Sequence, residues 1–176
     1  MKMRLVLLSF SFFLLIGANQ VNAQEHVQWI TFEEAMERSK KEPRKILIDI
    51  YTDWCGWCKK MDKDAYENQT LAKYINDNYY AVKFNAEQKT NVDFDGHTFK
   101  FQANGSRGVH ELAAALTNNK LSYPTTVFMN EELQIIQPIP GYMNAASIEP
   151  IITYFGEDAF KKTSWPDYQK NFKSAL

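Results

Sequence analysis

Residues 45–61 read KILIDIYTDWCGWCKKM, and two patterns meet inside that stretch. Residues 45–52 are dominated by Ile, Leu and Tyr, interrupted by one acidic residue, Asp49. Such a near-continuous apolar run is expected of a strand buried on both faces of a sheet. A helix is expected to begin around residues 54–58 and to run through Met61 and Ala65 to a break near Asn68. Cys55-Gly56-Trp57-Cys58 therefore falls where a buried strand turns into a helix.

That location matters chemically. The first turn of a helix leaves unpaired N–H groups and partial positive charge, both of which stabilise a thiolate. The thiolate is the attacking species in disulfide exchange. Cys55, at the exposed first position, is the expected nucleophile. Cys58, one turn in, is placed to attack a mixed disulfide and release the reduced substrate. Three other readings of the pair remain open at this level. A structural disulfide across two intervening residues closes too small a loop to stabilise much. A zinc site needs about four ligands, and the three histidines, His26, His97 and His110, show no paired spacing. Two cysteines can also fall at this spacing by chance.

Working outward, Trp29-Ile30 ends a short first strand. Thr31 reads as the N-cap of a helix reaching about Lys41, with Glu34 completing a capping box, and Pro43 stops it. After the cysteines, residues 71–75 form a short helix and residues 79–85 (YYAVKFN) the next strand. The segment 87–108 has a different character, with Asp95-Gly96 signalling a two-residue hairpin between residues 91–94 and 97–101. Residues 109–116 read as a helix, 124–129 and 133–137 as two strands joined by a tight turn, and 145–155 as a helix after Gly141. A last helix is expected over about 164–175, with Trp165, Tyr168 and Phe172 on one face. The order implies an α/β fold: a central mixed sheet flanked by helices on both faces.

The 176 residues contain 45% apolar and 23% charged side chains, a globular mix that excludes disordered and fibrous classes. Residues 1–23 read as a secretory signal: Lys2 and Arg4, an apolar run from Leu5 to Ile16, then Val21-Asn22-Ala23 at the cleavage site. The run is short of the ~20 residues that span a bilayer, so no membrane insertion is expected after cleavage. Cleavage would leave 153 residues, read as a single domain over 24–176. The formal charge of −1 becomes −3 without Lys2 and Arg4, and no basic run suits nucleic acid. The expected setting is exported, where disulfides persist: periplasmic in a Gram-negative bacterium, otherwise secreted.

The segment IDIYTDWCGWCKKM resembles the active-site segment of the thioredoxin superfamily, particularly its exported members. Asp49, six residues before Cys55, matches the buried aspartate that thioredoxins carry beneath the second cysteine. Trp54 matches the tryptophan before the first cysteine, and Lys83 resembles the lysine neighbouring that aspartate. Tyr123-Pro124-Thr125 looks like the cis-proline loop, and Gly141 the glycine after the final strand pair. The resemblance covers about residues 44–156 and implies a thioredoxin-like core. A hairpin insertion (87–108) precedes the third core helix, and a C-terminal helical extension follows. Thioredoxins proper have proline at the position of Trp57 and isomerases histidine, so the redox direction is left open.

Taken together, these features predict a thiol:disulfide oxidoreductase that reduces disulfides in exported proteins. Asp49, isolated in an apolar strand, is expected to be desolvated and able to accept the Cys58 proton; the competing reading is a strand-end residue facing solvent. Lys83 modulates that carboxylate, or is a snorkelling surface lysine. Trp54, Gly56 and Trp57 with Tyr123 and Pro124 shape a substrate groove, the backbone of Tyr123 being free to bond an extended chain. No metal or organic cofactor is needed, since the dithiol carries two electrons. The expected partners are disulfide-bonded or cysteine-containing polypeptides and an upstream thiol electron donor or acceptor. The alternatives are an isomerase or oxidase using the same site, or a non-enzymatic module binding a soft metal such as Cu(I) or a protein.

Overall fold

The structure is a computed structural model and describes residues 24–105 and 107–176; the secretory signal expected over residues 1–23 lies outside the described residues. Its frame is a five-stranded mixed sheet. The chain runs β1 (Trp29–Ile30), α1 (Phe32–Lys41), β2 (Lys45–Tyr51), α2 (Gly56–Met61), a π-helical turn (Asp62–Tyr66), α3 (Gln69–Asn78) and β3 (Tyr79–Asn85). Two hairpins follow, β4 (Val92–Phe94) with β5 (His97–Phe99) and β6 (Phe101–Asn104) with β7 (Arg107–His110). Then come α4 (Glu111–Leu116), β8 (Thr125–Met129), β9 (Ile135–Pro140), α5 (Ala145–Gly156), a 3₁₀ turn (Ala159–Lys161) and α6 (Trp165–Asn171).

The strand order is β1-β3-β2-β8-β9. β2 lies at the centre, parallel to β3 and antiparallel to β8. Period-two alternation divides its side chains. Ile46, Ile48 and Ile50 pack with Phe32, Ala35 and Met36 of α1 and Leu112, Ala113 and Leu116 of α4. Leu47 enters the opposite cluster with Met61, Leu71, Ile75, Phe128 and Ile152. Helices thus cover both faces, as the order of elements implies, and β2 is apolar apart from Lys45 and Asp49 because neither face meets water. Asp49 falls on the Leu47 face, directly opposite Lys83 on β3 and Thr126 on β8.

Local signals account for most boundaries. The Thr31 hydroxyl accepts from the Glu34 N–H at 3.1 Å. The reciprocal half of the capping box is not the partner of the Glu34 carboxylate, which turns to Arg38 at 2.5 Å. Asn68, Asn144 and Ser164 cap α3, α5 and α6 in the same way. Asp95 and Gly96 take positive φ at the first hairpin, as the dipeptide predicts.

Two expectations fail in the insertion. Its second half is another hairpin, and Val109 and His110 belong to β7 rather than to a helix. Gly108 permits that pairing: a Cβ there would sit 2.2 Å from the Phe101 ring and 2.5 Å from the Gln102 carbonyl oxygen. The helix starts later because buried His110 caps it, Nδ1 accepting from the Leu112 N–H at 3.2 Å. The Glu111 carboxylate then reaches back to the Lys100 N–H at 2.7 Å, fastening the insertion to α4.

Candidate active site

Cys55 is the N-cap of α2, and its Sγ is bonded to that of Cys58 in a disulfide. The Cys58 N–H donates to Cys55 Sγ at 3.0 Å, so a helix-terminal donor points at the sulfur where negative charge would develop. The expected exposure of Cys55 is not found: it is 5% exposed and Cys58 2%. The disulfide and the cap hydrogen bond turn Sγ inward over the first helical turn. The exposed groups are its neighbours, Trp54 at 56% and Trp57 at 59%. Between them, a Cβ placed on Gly56 would meet no atom within 4 Å.

The tryptophans are held from outside the motif. Trp54 donates its indole N–H to Glu87 at 3.0 Å, packs edge-on to Tyr123 and lies beneath the Arg107 guanidinium. Glu87 and Arg107 both belong to the insertion, which therefore borders the cysteines. Trp57 packs against Tyr142, with ring centroids 5.2 Å apart, and the Tyr142 hydroxyl donates to Asp64. The Tyr123–Pro124 peptide bond is cis, as the resemblance implies, and the Gly141 N–H donates to the Pro124 carbonyl at 2.8 Å. Among the described residues, neither the N–H nor the C=O of Tyr123 has a backbone partner.

Asp49 is 1% exposed, which excludes the solvent-facing reading. Its Oδ2 accepts from Lys83 Nζ at 2.6 Å, and its Oδ1 has no partner among the described residues. Burial raises its pKa to about 6 despite the adjacent ammonium. Lys83 is not a surface lysine either. Burial opposes its charge, but Asp49 and Asp62 outweigh burial and hold its pKa above the ordinary value. Asp62, from the π-helical turn, forms the second ion pair to Nζ. The rings of Trp29, Tyr51 and Tyr66 lie 5.0, 5.3 and 5.6 Å from the same ammonium. Among the described residues, no group of three or more His, Cys, Asp or Glu could hold a metal ion.

The structure thus brings together Cys55, Gly56, Cys58, Trp54 and Trp57, sets Tyr123 against Trp54, and pairs Asp49 with Lys83. Sequence reasoning missed Asp62, Glu87, Arg107 and Tyr142. Tyr142 follows Gly141 directly, but neither its position nor the spacing of the others announces a contact made across the fold.

The same architecture recurs in solved structures. A structure described as DsbH oxidoreductase superposes over 84% of this chain and 94% of its own, with TM-score 0.55 and 21% identity. The fold is thus that of thioredoxin, with the cysteine pair at the strand-to-helix turn, and this protein is of that structural class. Residues 11–146 match the Thioredox_DsbH family model, described as a protein of unknown function, DUF255, and the chain belongs to that family. Among curated relatives, disulfide bond reductase DsbH of Chlamydia pneumoniae is 29% identical over 68 residues, 38% of this chain and 41% of that protein. Spermatogenesis-associated protein 20 of Mus musculus is 30% identical over 88 residues, 49% of this chain. The chain spans 11% of the mouse protein's length and 14% of that of a Caenorhabditis elegans relative.

Proposed function

We propose that the protein is an exported reductase of protein disulfides. The observation that carries the reading is the Cys55–Cys58 disulfide capping α2 with the Cys58 N–H aimed at Cys55 Sγ. In the reduced enzyme the Cys55 thiolate attacks a substrate disulfide, and one substrate sulfur leaves with the electron pair. The Cys58 thiol gives its proton to Asp49, and the resulting thiolate attacks Cys55 Sγ. That closes the protein disulfide and frees the second substrate sulfur. The net transfer is two electrons and two protons from dithiol to substrate, and an upstream thiol donor restores the dithiol.

Direction is supported by the neutral Trp57 between the cysteines, which lacks the extra thiolate stabilisation of a histidine there. The reductase name of the Chlamydia pneumoniae relative agrees with this direction. Export is supported by the leader pattern over residues 1–23. The exposed tryptophans and the free Tyr123 backbone suit an extended polypeptide, aromatic side chains being favoured at interface centres.

Cys55→Ser is expected to abolish reduction of insulin disulfides, while Cys58→Ser accumulates mixed disulfides visible on non-reducing gels. Equilibration with glutathione should place the potential in the reducing range, near thioredoxin's at about −270 mV. A value near −120 mV, typical of a strong oxidant, would reverse the assigned direction.

A further inference from the structure

We propose that Asp62 is a positioning residue of the proton-transfer site, sharing the Lys83 ammonium with Asp49 and thereby setting the proton affinity of Asp49. The inference rests on the reading of Asp49 as acceptor of the Cys58 proton.

Three observations carry it. First, Lys83 Nζ bridges two carboxylates, one from β2 and one from the π-helical turn. An ammonium divided between two anions neutralises each less than it would neutralise one alone, and the second anion repels charge on the first. Second, Asp62 is brought there by an irregular turn. The Glu67 N–H donates to the Asp62 carbonyl at 2.9 Å, five residues back, and such π turns frequently mark functional positions. Third, Asp62 and Lys83 line a surface cleft of about 280 Å³ together with His26, Trp29, Tyr66 and Glu67. The cleft brings water to the partners of a carboxylate that is itself closed to solvent.

The proton path is then complete. Cys58 S–H loses its proton to Asp49, the Cys58 sulfur bonds to Cys55 Sγ, and the bond from Cys55 to the substrate sulfur breaks with its electron pair on the substrate. Lys83, which bonds Asp49 and lines the cleft, next passes one of its protons to water there and takes the proton of Asp49, leaving the carboxylate held by the ammonium. The other titratable groups facing this pair are Tyr51 on β2 and Tyr66 in the π turn, both raised above the ordinary tyrosine pKa by burial, so they stay neutral through the working range. Asp53, after β2, acts on Tyr51, while His26 and Glu67 stand at the cleft. β8 contributes neutral Thr126, bonded to the Tyr66 hydroxyl at 3.1 Å.

The test is the pH profile of turnover together with a carbon-13 carboxyl titration of Asp49 in the full chain. Asp62→Asn is expected to lower the midpoint of both by about one pH unit, raising turnover several-fold at pH 5. Asp62→Glu should restore the wild-type midpoint, and Lys83→Met should move the Asp49 titration upward. A uniform loss of rate in Asp62→Asn with an unmoved midpoint would assign Asp62 a purely structural role and overturn the proposal. If Asp49→Asn itself leaves the wild-type profile intact, the underlying reading of Asp49 fails as well. The two failures are therefore distinguishable.

Discussion

Asp49 shows how burial of one side chain couples stability to pH. Its folded pKa of about 6 lies above the ordinary 3.8 because burial disfavours the charged form. A raised carboxyl pKa means the native state binds the proton more tightly than the unfolded chain. The associated stability is complete below about pH 4 and is lost as pH rises through about 6. Asp49→Asn is therefore expected to stabilise the oxidised protein at pH 7 by up to about 3 kcal/mol and to change it little at pH 4. Urea unfolding at the two pH values checks this, and equal gains at both would remove burial of charge as the cause. The residue was visible in the sequence as a lone charge in an apolar run. Asp62, the second carboxylate on Lys83, was not, because that ion pair depends on strand register and on a π turn that no local pattern announces.

At the level of elements, two glycines with opposite surroundings make a matched pair. Gly108 lies against Phe101 and the Gln102 carbonyl of β6, so an added methyl must push the hairpin open. Gly108→Ala is expected to cost about 1–3 kcal/mol and to raise amide exchange in β6 and β7. At Gly56, the first residue of α2, the same methyl meets open space. Gly56→Ala should change stability by no more than about 0.5 kcal/mol, as thermal unfolding will report. The insertion also illustrates what sequence reading resolves. Asp95-Gly96 announced the first hairpin through its own backbone preference. The second hairpin, and the start of α4 at Glu111 rather than at Val109, depend on non-local partners: the His110 ring bonded to the Thr90 carbonyl at 3.0 Å, and Glu111 bonded to the Lys100 backbone.

Across the whole molecule, two apolar clusters on either side of β2 hold the fold, and the disulfide closes only a four-residue segment. A loop of that size contributes about 2 kcal/mol. The reduced protein is therefore expected to stay folded, with its melting temperature lowered by a few degrees in dithiothreitol; loss of the cooperative transition would show that the disulfide is a structural staple. The C-terminal segment takes part in the second cluster. Tyr154 of α5 packs against Trp165 and Tyr168 and donates to the Thr163 carbonyl at 2.6 Å. The sequence by itself determined the strand-to-helix turn, the cysteine pair and the layered α/β plan, because hydrophobic period, caps and turn dipeptides are local properties of the chain. Only the tertiary structure decided that Lys83 serves two carboxylates, that the insertion borders Trp54, and that the cysteines are enclosed while the tryptophans stand out. Those features join residues distant in sequence, and the free energy of such a contact exists only once the sheet has set its partners side by side.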